Sequence, residues 1–200
     1  FLFRQQQPDG NLRAGRLHVT GTVAYPANLA TNSCAIMLWS RLYEITQEQR
    51  YRDAAIRCAD YSIKAWLDGK HWKMYGGEWD VPGNNSTSTS AYATWGFATL
   101  YRATGYAPAL AAVRRSADYF LAQQALSDTH FGFYMPKAYW RGRDARTTGG
   151  IAQGMHPEGY GQLLWVRPEL PYAQYLAYTV TQDQAYLDSA WAYLAWMTYM

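Results

Sequence analysis

Charge is scarce in this 200-residue chain. Asp, Glu, Lys and Arg make up 16% of it, and residues 17–40 contain none of the four. Disordered segments show the opposite balance, so a folded chain is expected. No basic run exceeds two residues and the net charge is +3, which argues against nucleic acid as a partner. An acidic small molecule or a polysaccharide stays open. A long apolar run is also missing. Pro26, Asn28, Asn32 and several Ser and Thr interrupt the uncharged stretch, so no membrane span is expected. The two cysteines, Cys34 and Cys58, are too few for a disulfide scaffold. They read as free, buried core residues, although their positions on either side of a turn near Thr46 would also permit a bridge. The four histidines show no zinc spacing, and no cofactor or metal is expected, with calcium on loop carboxylates left open. No phosphate-cradling glycine motif precedes a helix and no Gly-x-Ser-x-Gly elbow occurs, which argues against nucleotide chemistry and serine hydrolysis.

What the chain does have is aromatic surface and repetition. Nine Trp and eighteen Tyr lie in a chain of one-domain length, enough to bury about 70% of the surface it exposes unfolded. It opens at Phe1 on a polar stretch without a signal peptide and ends at Met200 inside a helix-like run, the pattern expected of a piece of a longer protein.

Three segments resemble one another. Leu42-Tyr43-Glu44-Ile45-Thr46, Leu100-Tyr101-Arg102-Ala103-Thr104 and Ala177-Tyr178-Thr179-Val180-Thr181 superpose on their threonines. The same alignment brings Asp60-Tyr61 onto Asp118-Tyr119. Each unit reads as helix, tight turn, helix, with the Thr closing the first helix. The first helices are expected near 27–46, 87–104 and 169–181, and their central parts carry no charge. The second helices carry Arg50, Arg52, Asp53, Arg57, Asp60, Lys64 and Asp68, then Arg114, Arg115 and Asp118, then Asp183 and Asp188. A helix neutral all round is expected to be buried on every side, whereas a charged stripe faces water. The first helix of each pair is therefore inner and the second outer. Connections from outer to inner helices are long, at 70–86 and 127–168, and an irregular lead-in covers 1–26. In antiparallel hairpins these connections leave from one end, and loops of such length are usually functional.

With its Leu-Tyr-x-x-Thr turns, neutral inner and charged outer helices, and aromatic loops at one end, the sequence resembles the six-hairpin (α/α) toroid superfamily of carbohydrate-active enzymes. The resemblance covers residues 16–200 and resolves no single family. It implies an all-α fold and a single domain over 1–200 with three hairpins, about half of a six-hairpin barrel. The rest of the ring would come from the same chain or from a partner. Gly76-Gly77-x-x-Asp80 also looks like the Gly-Gly-x-x-Asp segment of the family-nine cellulases, where a second Asp follows three residues later. Here that position is Gly83, so only Asp80 is carried over.

The candidate chemistry sits in the two long connections. The first holds Glu78, Trp79, Asp80 and Asn84; the second holds Trp140, Arg141, Arg143, His156, Glu158, Tyr160 and Trp165. His, Glu, Tyr and Arg among glycines offer groups of tunable pKa on a backbone that a ligand can approach. In a glycoside hydrolase, Asp80 and Glu158 would flank the scissile bond as acid and base or nucleophile. In a polysaccharide lyase, His156 or Tyr160 would remove the proton beside a uronate, while Arg143 and Asn84 neutralise its carboxylate. A sugar epimerase is a third reading. Glu78, Trp79, Trp140, Arg141 and Trp165 are the expected substrate contacts, since flat aromatic faces suit sugar rings. A non-catalytic helical-repeat scaffold is the reading outside catalysis, but repeat spacings of 58 and 77 residues do not match its regular periods. A polysaccharide substrate would favour a secreted or periplasmic setting.

Overall fold

A computed structural model describes residues 2–12, 29–68, 71–72, 87–124 and 168–199. Three helical hairpins dominate it. Helix α1 (Leu2–Gln5) precedes the first pair, α2 (Leu29–Thr46) and α3 (Gln49–Trp66). Strands β1 (Leu67–Asp68) and β2 (His71–Trp72) pair antiparallel, with Leu67 opposite Trp72. The second hairpin is α4 (Thr87–Thr104) with α5 (Ala107–Gln123), and the third is α6 (Glu169–Thr181) with α7 (Gln184–Tyr199).

The repeated threonine builds the same turn three times. Thr46, Thr104 and Thr181 donate their hydroxyls to the carbonyls of Leu42, Leu100 and Ala177 at 2.8, 2.7 and 2.7 Å. Each hydroxyl then accepts the backbone N–H two residues on, from Glu48, Tyr106 and Asp183. The residue between adopts the left-handed conformation, at Gln47, Gly105 and Gln182. Its N–H closes the helix on the carbonyl of the repeated tyrosine, Tyr43, Tyr101 or Tyr178. One side chain thus joins the last turn of one helix to the N–H that leads into the next.

The inner helices α2, α4 and α6 stand side by side, each backed by its own outer helix. Trp39, Phe97, Ile36, Leu100 and Val113 fill the space between the layers and are fully or almost fully buried. Gly96 permits a close approach of α4 to α2, because a Cβ there would lie 2.6 Å from the Ser33 carbonyl oxygen. The outer helices are stitched by a second repeated device. The Tyr106 hydroxyl donates to Asp60, and that of Tyr186 donates to the equivalent Asp118 at 2.7 Å. Buried Asn32 anchors the lead-in: its side-chain oxygen accepts the Leu12 N–H at 2.9 Å and the Cys58 thiol at 3.0 Å.

Three expectations need correction. The inner helices are not buried on every side; Leu38 is 43% exposed and Tyr172 and Tyr175 are each 47% exposed. Neutral side chains there line a lumen instead of a core. Cys34 and Cys58 are free, but only Cys58 is buried, because Cys34 falls on the lumen face of α2. The third outer helix is hardly charged, having only Asp188 within its bounds, and it leaves Trp191 63% exposed. The reason is positional. Trp191 and Leu194 correspond in the repeat to Arg114 and Ala117 of α5, whose carbonyls accept from Tyr186 and Gln174 of the third hairpin. The same face of the third hairpin stands open as an apolar groove of about 370 Å³ between α6 and α7.

Candidate functional site

The exposed positions of the inner helices recur at helical spacing: 34, 38, 41 and 45 on α2, then 172 and 175 on α6, with half-buried 92 and 95 and exposed 102 on α4. Residues three and four apart share a helix face, so these stripes form one wall of the half-ring, and on α6 Tyr172 and Tyr175 also line the open groove beside Trp191 and Leu194 of α7. The wall has two different ends.

At the turn end it is ionic. Arg41 holds Glu44 at 2.6 Å within α2, and Arg102 of α4 reaches the other Glu44 oxygen at 3.3 Å. Both arginines lie in or near the last turns of their helices, where the helix dipole favours a cation. The cluster ties α2 to α4.

At the other end, from which the two long connections leave, the wall is aromatic. Trp95 meets Tyr172 edge-on, with ring centroids 5.2 Å apart and planes at 80°. Tyr92 meets Trp95 in the same way at 5.6 Å, and Tyr175 stacks beside Tyr172 at 6.5 Å. Trp95 and Tyr172 both stand nine residues before their turn threonine, so the repeat brings them to one level. Cys34, Tyr92 and Glu169 form the level above, twelve residues before it. Glu169 lies in the first turn of α6, where the dipole favours an acid. Although the Cys34 side chain reaches open space, partial desolvation by the surrounding wall pushes its thiol above its ordinary range.

The predicted site residues Glu78, Trp79, Asp80, Asn84, Trp140, Arg141, Arg143, His156, Glu158, Tyr160 and Trp165 lie outside the described residues. The described helices do fix the anchor points of their connections. Segment 73–86 leads into Thr87 of α4, and segment 125–167 leads to the start of α6. Both anchor points lie at the aromatic end. Sequence reasoning missed the aromatic wall itself, because it assigned uncharged inner helices to the core. The available signal was the aromatic pair at i and i+3, Tyr92/Trp95 and Tyr172/Tyr175, held in register by the turn threonine. Among the described residues no group of three His, Cys, Asp or Glu could hold a metal ion, and no helix is long and apolar enough to cross a membrane.

The architecture is that of the (α/α) toroid, with neutral inner helices ringed by outer ones and about half of the ring present. Solved structures share it. A D-mannose isomerase superposes with a TM-score of 0.65 at 15% identity, over 96% of this chain and 47% of its own. Cellobiose 2-epimerase from Spirochaeta thermophila gives 0.71 at 14% identity, over 98% and 49%. A family 76 glycoside hydrolase, a mannosidase of Bacteroides thetaiotaomicron, gives 0.59 at 20% identity, over 86% and 46%. The chain thus spans about half the length of the structures it matches. No protein-family profile matches it, and comparison with curated proteins finds no match.

Proposed function

We propose that this chain is part of a carbohydrate-active enzyme, a glycoside hydrolase that cleaves a bond in an oligo- or polysaccharide. Asp80 and Glu158 are its acid and base or nucleophile, with His156 and Tyr160 beside them. Glu78, Trp79, Asn84, Trp140, Arg141, Arg143 and Trp165 contact the sugar. The observation that carries the reading is that both long connections are anchored at the same end of the hairpins, at the starts of α4 and α6. Two carboxylates on adjacent connections there can approach one bond from opposite sides. The family 76 mannosidase, built on the same fold, supports it.

A second reading, sugar epimerisation or isomerisation, draws on the mannose isomerase and the cellobiose 2-epimerase. There His156 would move a proton next to the sugar carbonyl and no bond between sugars would break.

The test is a panel digest by the full-length parent protein, read for reducing ends, for ultraviolet absorbance of unsaturated uronate, and by NMR for new epimers. Hydrolysis gives reducing ends alone, and Asp80→Asn or Glu158→Gln then lowers turnover by about 10²–10⁴-fold. A new epimer without new reducing ends replaces hydrolysis with the second reading. Reducing ends with uronate absorbance make it a lyase and move the chemistry to His156, Tyr160 and Arg143.

A further inference from the structure

Helix α1 and the residue after it repeat a contact that elsewhere belongs to a whole hairpin. Gln6 directly follows α1 and gives its side-chain amide to the Ala54 carbonyl at 2.8 Å. Gln124 directly follows α5 and gives its amide to the Ser189 carbonyl at 2.9 Å. Ala54 and Ser189 each stand eight residues after their turn threonine, so the two acceptors are one position of the repeat. The donors match as well. Leu2-Phe3-Arg4-Gln5-Gln6 and Phe120-Leu121-Ala122-Gln123-Gln124 both run as two apolar residues, a spacer and a Gln pair. Tyr51 and Tyr186, each five residues after the threonine, are also used alike: Tyr51 stacks on Phe3 of α1 at 5.5 Å, and Tyr186 bonds to Asp118 of α5. Helix α1 thus stands to α3 as α5 stands to α7. A single helical turn is costly to nucleate by itself, and the last turn of a longer helix bears no such cost.

The inner layer is open on the same side. Leu38, at the edge of the wall, stands eight residues before Thr46, as Gly96 and Ala173 stand before Thr104 and Thr181. Gly96 closes against Ser33 of the preceding hairpin and Ala173 is fully buried, yet Leu38 is 43% exposed. Ile45, one residue before Thr46, is 79% exposed, whereas Val180 at the same position packs against the core.

We propose that this side of α2 and α3 is the seat of a further hairpin of the same chain, preceding Phe1, and that α1 is the last turn of its outer helix. Its inner helix covers Leu38 and Ile45 as α2 covers Gly96. An apolar edge suits the uncharged face that inner helices present, and half of the ring remains to be filled. The first described hairpin is then not the first of the ring. This inference is independent of the carbohydrate reading.

The test uses the full-length parent protein with a benzophenone amino acid in place of Leu38 or, separately, of Ile45. Cross-linked peptides are mapped by mass spectrometry after irradiation. Ser33, which meets Gly96, has Ala91 as its counterpart, and that residue stands 33 residues before Gln124. The probe at position 38 should therefore capture a peptide about 33 residues before Gln6, to within about one helical turn. The probe at position 45 should capture the same hairpin nearer its turn, and its exposed site keeps the test readable if bulk at position 38 prevents folding. Capture of residues 13–28 alone, or no capture, makes α1 a strap on an open edge and overturns the proposal. Capture of chain beyond Met200 overturns it too, because the ring would then close onto α2 from its other end. A cross-linked product of twice the mass gives the seat to a second copy.

Discussion

The two ends of the half-ring are built on opposite principles. At the turn end three hairpins repeat one local device, a threonine that caps two helices at once, followed by a left-handed residue. All partners of that device lie within four residues of the threonine. At the loop end nothing repeats so simply. The equivalent positions Cys34, Tyr92 and Glu169 hold a thiol, a phenol and a carboxylate, and the connections above them differ in length. The first end makes the scaffold uniform, and the second makes the lumen chemically specific. Short-range contacts can be copied from hairpin to hairpin without affecting the lumen, whereas copied residues at the loop end would give every hairpin the same surface.

The comparison is tested most severely between the two ends, where α2 crosses α4. Gly96→Ala places a methyl group 2.6 Å from the Ser33 carbonyl oxygen, and backbone cannot rotate away as a side chain can. A loss of about 1–3 kcal/mol is expected in urea unfolding. Wild-type stability in this variant would mean that the inner helices are not held at that distance.

A smaller effect tests uniformity at the turn end. Thr46→Ala, Thr104→Ala and Thr181→Ala each remove the same pair of hydrogen bonds, and each should cost about 1 kcal/mol. Unequal losses across the three would break the claim that one device is used three times.

The smallest effect concerns the ties between outer helices. Burial, and then the bond to Asp60, raise the Tyr106 phenol from its ordinary 10.0 to about 12. Burial and Asp118 raise Tyr186 in the same direction. Below pH 10 both phenols are neutral, folded or unfolded. Above it the unfolded chain ionises first, so stability is lost as pH rises from about 10 through 12. Tyr106→Phe should flatten part of that decline in a series of unfolding curves against pH. An unchanged slope would remove the tie from the stability of the scaffold.

The sequence was legible wherever contacts are local. Thr46, Thr104 and Thr181 announce their turns because the atoms they bond are two to four residues away. The alternation of neutral and charged helices gave the inner and outer layers, since charge stays in water whatever the details of packing. Cys34 shows where that logic ends. Its neighbours in sequence are buried, and only the curvature of the ring turns its side of α2 toward open space.

The sequence by itself therefore determined three hairpins, their order and their inner and outer faces, because helix periods and capping act within a few residues. The tertiary structure decided that neutral helices line a lumen, that Trp95 meets Tyr172 across 77 residues of chain, and that Trp191 stands exposed. Those outcomes depend on the distance and rotation between helices. Side chains remote in sequence set both, and no local period records them.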